Sequence, residues 1–163
     1  ANARCRTQID IGFGDAVTPG PVNAVYPVLL DGLPAPRLRA YPIYTVVAEK
    51  LHAITLLGMT NSRVKDYFDL SVLLERETLD DGLLDQAIKA TFVRRGMAVP
   101  AKLPVGLTEE FSGDASRQPD NLYVFSRMGV MLSLMVWWSS QRGSHGSLLK
   151  PAWNGRFVAA SVN

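Results

Sequence analysis

Apolar residues recur along this chain with two different periods. Between residues 6 and 41 they alternate or cluster in short runs broken by Gly and Pro, whereas between 45 and 95 they return every three or four positions. The first pattern predicts strands and the second predicts helices. RTQIDIGF (6–13), VNAVYPVLL (22–30) and RLRAY (37–41) are the strand candidates, with Pro27 ending the second or demoting it to an edge. The stretches GFGDAVTPGP (12–21) and DGLPAP (31–36) are turns between them. The first helix runs from Thr45, with Val46, Val47, Leu51, Ile54 and Leu57 on one arc. A break at 58–62, where Asn61 or Ser62 can cap, leads into a second helix over 63–76 with an apolar stripe of Val64, Tyr67, Phe68 and Leu74. Residues 79–95 give a third helix that packs through Leu84, Ala87, Ile88, Thr91 and Phe92 and stops at Gly96, and 107–111 begin a short fourth. The predicted class is α+β, strands first and helices packed against them.

Charges that break this pattern carry the chemistry. Lys50 falls inside the apolar arc of the first helix, where it either snorkels to solvent or is a partly buried, paired amine. Asp66 and Asp69 stand at i and i+3 on the second helix, on one face opposite its apolar stripe, and Lys65 lies four residues before Asp69. A dipole-compensating Asp66 and a surface Lys65–Asp69 pair account for them cheaply. A functional pair folded against Lys50 is the sharper alternative. Arg37 and Arg39 share a strand face, which suits phosphate contact and suits solvent equally. Asp10, between Ile9 and Ile11, points to the opposite strand face from both and is either solvated or a metal ligand. Arg94 and Arg95 are expected to be solvated at a helix C-terminus.

Composition narrows the classes. The chain has 163 residues, 47% of them hydrophobic, enough for one sizeable core, and its net charge of +2 gives no argument for nucleic-acid binding. Cys5 is the only cysteine, so a disulfide framework and a cysteine-based zinc site are excluded, which fits a reducing cytoplasm. His52 and His145 form no metal-binding spacing, and His52, off the apolar arc, is expected at the surface. Neither GxxxxGK[ST] nor GxGxxG opening a helix is present. The apolar run GVMLSLMVWW (129–138) is about half the length of a bilayer span and reads as a core element, so no membrane partner is expected. No secretory signal opens the chain. It does not begin with Met and its first strand starts almost at once, which suggests a fragment whose upstream part is missing.

The words AEKLHA (48–53) and RVKDYFDL (63–70), preceded by Tyr41-Pro42, resemble the AbiEii family of abortive-infection nucleotidyltransferase toxins. The likeness continues upstream through IDIGFGD (9–15) and YPVLLD (26–31), and covers roughly residues 6–113. The resemblance implies the remnant of a nucleotidyltransferase-type mixed sheet over 1–42, a helical bundle over 43–111 and a divergent tail over 112–163. It implies Asp10 as a sheet carboxylate holding metal, Lys50 as the phosphate-binding amine and Asp66 or Asp69 as the helical acid; Arg37 and Arg39 stand as nucleotide-contact candidates on their shared strand face alone. Mg²⁺, a nucleoside triphosphate donor, an RNA acceptor such as tRNA, and a protein antitoxin are the implied cofactor and partners.

In proteins of this type a Gly-Ser motif with two further acids precedes the DI strand, and nothing in this sequence matches it. The catalytic set is therefore expected to be incomplete and the chain inactive alone. Two other readings stand beside this one: a non-catalytic domain binding RNA, nucleotide or antitoxin, and a plain helical interaction module.

Overall fold

The computed structural model describes residues 4, 6–9, 11–28 and 30–113. Two strands, β1 (Val22–Val25) and β2 (Arg37–Ala40), pair antiparallel with Val22 opposite Ala40 and Val25 opposite Arg37. The bond from Tyr26 N–H to the Pro36 carbonyl extends the ladder by one step before Pro27, which has no N–H to continue it. Four helices follow: α1 (Ile43–Leu57), α2 (Val64–Arg76), α3 (Asp81–Arg94) and the one-turn α4 (Glu109–Ser112). The α+β class holds.

Helix α1 is the centre of the helical layer, packed against both α2 and α3. Val47, Ala48, Leu51 and Ile54 are completely buried there, and contacts on two sides bury a wider face than a single arc would. Helix α1 ends where Gly58, at φ 48°, takes a backbone conformation that a side chain would strain. The chain then turns back, placing Tyr67, Leu70 and Leu74 of α2 in the same core. Helix α3 is capped by Asp80, whose side chain accepts from Leu83 N–H, and contributes Leu84, Ala87, Ile88 and Phe92. Residues 97–111 close the core with Leu107 and Phe111, the latter stacked on Tyr67 with ring centroids 5.3 Å apart.

Four expectations need correction. Among their described residues, 6–13 form no strand: no neighbouring strand pairs with them, and Ile9, Ile11 and Phe13 are exposed. On α2 the buried stripe is Tyr67, Leu70, Ser71 and Leu74, while Phe68 is exposed, because the face that meets α1 is rotated away from it. Neither Asn61 nor Ser62 is the cap of α2, which begins after Arg63 without a side-chain cap; Asn61 instead accepts from Arg63 N–H one residue earlier. His52 is buried, edge-on to Phe92 of α3 at 5.1 Å, because α3 covers the flank of α1 that the single arc left to solvent. The 129–138 run lies outside the described residues.

Candidate functional site

Lys50 leaves the middle of α1 beside Val47, Leu51 and Ile54, and its side chain is only 17% exposed. A solitary ammonium there would lose hydration with nothing in return. The return of α2 supplies the partners. Lys50 Nζ donates to Asp66 Oδ1 at 2.9 Å and to Asp69 Oδ2 at 2.7 Å. The i, i+3 spacing of the two aspartates puts both carboxylates on the side of α2 that faces Lys50, so they flank the helix interface instead of lying opposite the apolar stripe. Lys65, exposed one turn away, adds a second donor to Asp69 Oδ2.

The two aspartates are not equivalent. Asp69 carries two lysines on one oxygen, whereas Asp66 Oδ1 carries Lys50 alone. Burial pushes the Asp69 carboxyl up, but its hydrogen bonds and attractions to Lys50 and Lys65 outweigh that and hold it below its ordinary value. For Lys50, burial works against the charge, and the bonds to Asp69 and Asp66 with their negative charges more than offset it, so the amine is held above its ordinary value. Lys50 therefore stays an ammonium throughout the neutral range. An ammonium has three N–H donors, and the two aspartates use two of them. Among the described residues the third has no acceptor.

Of the residues singled out in the sequence, the fold thus brings Lys50, Asp66 and Asp69 together. Arg37 and Arg39 stay on the exposed hairpin, opposite Val25 and Asn23, and join no ion pair among the described residues. Asp10 lies outside the described residues. Among those described, no three His, Cys, Asp or Glu side chains converge as metal ligands. The Lys50 ammonium moreover holds the place between Asp66 and Asp69 that a cation would take. The described residues do not fit a Mg²⁺ site.

The sequence reading missed a second polar cluster. Arg95 Nη2 bridges Asp15 Oδ1 at 3.1 Å and Glu49 Oε2 at 3.0 Å, and Tyr41 Oη donates to Asp15 Oδ2 at 2.9 Å. That bond to Asp15, with burial and the nearby negative charges, holds the Tyr41 hydroxyl above its ordinary pKa. Arg94 and Arg95 are therefore not simply solvated, as their helix-end position suggested. Their partners lie 80 residues away in the chain at Gly14 and Asp15, and 46 away at Glu49, beyond any local spacing rule. The only hint is that Glu49 adjoins Lys50 and Tyr41 belongs to the Tyr-Pro word.

No described helix is long and apolar enough to cross a membrane. Comparison with curated proteins and with solved structures gives no match. A family model described as the nucleotidyl transferase AbiEii toxin of type IV toxin–antitoxin systems matches residues 1–131. That span contains the hairpin, the α1–α2 pair and all three members of the lysine–aspartate triad, and the chain belongs to the AbiEii nucleotidyl transferase toxin family.

Proposed function

We propose that this chain supplies the amine side of a nucleotidyl-transfer site, in which Lys50 holds a phosphate oxygen of a nucleoside triphosphate while the nucleotide passes to an RNA acceptor, tRNA being the first to test. The observation that carries the reading is the two-carboxylate grip on Lys50 Nζ, which keeps it charged and leaves one N–H free. A fixed ammonium with one open donor suits charge that builds on phosphate oxygens during transfer, since it needs no reorganisation at the moment of reaction. Asp66 is the helical acid of this reading, because Asp69 is already occupied by two lysines. Asp69 positions Lys50. Arg37 and Arg39, exposed on the hairpin, are available to the outer phosphates or to the RNA backbone.

Mg²⁺ is part of the chemistry that the family resemblance implies, but the Lys50 ammonium holds the place between the two helical carboxylates. Family membership supports a protein antitoxin as the cognate partner. The lysine-filled carboxylate pair also favours a second reading, a nucleotide-binding domain that performs no transfer.

Equilibrium dialysis of the purified chain with labelled ATP, GTP, CTP and UTP tests the common core of both readings. The wild type should retain at least one of them, and Lys50→Met should lower that affinity by about tenfold or more, the weight of a lost charge-assisted bond. Equal retention by wild type and Lys50→Met would contradict it.

A further inference from the structure

The lysine–aspartate triad leaves one polar cluster unexplained. It joins the segment at 14–18 to the far side of α1. Four side chains make the attachment. Arg94 Nε donates to the Gly14 carbonyl, and Arg95 Nη2 holds Asp15 and Glu49 together. Tyr41 Oη donates to the other oxygen of Asp15. Thr45 Oγ1 both accepts from Thr18 N–H at 2.9 Å and donates to the Thr18 carbonyl at 3.1 Å.

Gly14 has φ 75°, and a Cβ there would run into the Arg94 guanidinium, so the backbone is shaped to the arginine pair. An L side chain at this position would be both strained and obstructed.

Apolar burial assists this attachment only in part, Ala16 and Val17 being half-buried. The described residues just before it, Ile9, Ile11 and Phe13, are exposed, and Asp15, Glu49 and Arg95 keep side-chain exposures of 21%, 25% and 45%. A segment buried only in part leans on its polar ties to stay seated. Glu49 precedes Lys50 on α1, and Asp10, which the family resemblance assigns to metal, precedes Gly14 by four residues in the chain.

We propose that Arg95 is a positioning residue: its bridge between Asp15 and Glu49 is the principal tie that fixes the 14–18 segment on the helix carrying Lys50. Arg94, Tyr41 and Thr45 complete the seat. The functional value of the tie rests on the lysine-site reading, whereas its existence does not. Because the three charged groups are partly exposed, the tie is also sensitive to salt.

Amide hydrogen exchange on the full chain, followed segment by segment, tests the assignment. Arg95→Ala should speed exchange over 14–18 by about tenfold, with the core amides of α1 and α3 unchanged. Arg95→Lys, which keeps the charge and leaves Asp15 to accept from Tyr41, should restore part of the protection. High salt should reproduce the effect of Arg95→Ala in the wild type and add little in the variant. Unchanged exchange at 14–18 in Arg95→Ala would overturn the proposal, as would an Arg95→Lys variant no better protected than Arg95→Ala. Equal loosening of α1 and α3 would overturn it too, by making Arg95 a general stability residue. Failure of the wild type to bind any nucleotide would sink the lysine-site reading and leave the exchange result to decide the tie.

Discussion

Lys50 and Asp69 meet across the α1–α2 interface at 2.7 Å, and that contact fixes both the charge of the amine and its direction. Asp69 is a carboxylate held down by two lysines, and Lys50 is an amine held up by two carboxylates. The signs follow. The raised Lys50 value contributes stability that is fully present below 10.5 and is lost as pH rises through the folded value. The depressed Asp69 value contributes stability present above 3.8 and lost as pH falls through its folded value.

Asp69→Asn should therefore shift the alkaline unfolding limb to lower pH, because Lys50 loses one of its two anionic partners. Lys65→Ala, at 81% exposure, should leave that limb in place and change stability by no more than about 0.5 kcal/mol. Chemical denaturation across the alkaline range reads both. An alkaline limb that is the same in Asp69→Asn and wild type would contradict the assignment.

Gly106 stands where the 105–107 turn crosses α1 and α2. A Cβ there would lie 2.9 Å from both Ile54 Cγ2 and Tyr67 Oη, and 3.1 Å from the Ile54 carbonyl oxygen, which is backbone and cannot swing aside. Gly106→Ala should cost about 1–3 kcal/mol by overpacking, visible as a lower urea midpoint with an unchanged slope.

His52 predicts an acid-side weakness. Burial depresses its pKa below the ordinary 6.5, with Glu49 favouring the charged form and Arg95 opposing it. Its Nε2 is buried without a hydrogen-bond partner among the described residues. A histidine buried neutral must charge on unfolding, so the stability it contributes is present above 6.5 and declines as pH falls toward the folded value. The denaturation midpoint should fall between pH 7 and pH 5 by more in the wild type than in His52→Leu, about 7 and 5 being the two sides of the histidine's ordinary range. Equal falls would remove His52 as the cause.

Incubated with Mg²⁺, labelled nucleoside triphosphates and bulk tRNA, the purified chain should transfer no label. Among the described residues Asp66 and Asp69 are engaged by lysines and no three His, Cys, Asp or Glu side chains converge to hold catalytic metal. Robust labelling would refute this and return Asp66 and Asp69 to consideration as ligands.

The triad was legible because its signal is local. A lysine inside an apolar arc and two aspartates one turn apart, separated by a short break, raise the pairing beside a solvated alternative, and the return of α2 onto α1 decides between them. Helix positions were legible for the same reason. The burial of His52 was not, since it depends on α3 covering a flank of α1 that one helical wheel cannot show. Phe68 was misplaced on the same wheel, as the direction of α2 across α1 decides which neighbouring residue turns inward. The strand expected at 6–13 has the right alternation, yet alternation names a strand only when another backbone pairs with it. Arg95 was invisible because its partners lie 80 and 46 residues before it in the chain.

The most direct test of the account follows the side-chain ε resonance of Lys50, identified by its loss in Lys50→Arg, while ATP is added to the full chain. If the third N–H of the gripped amine receives a phosphate oxygen, that resonance should shift and saturate with the affinity found by dialysis, and Asp69→Asn should weaken the response. A Lys50 resonance that stays still while ATP binds elsewhere would contradict the account.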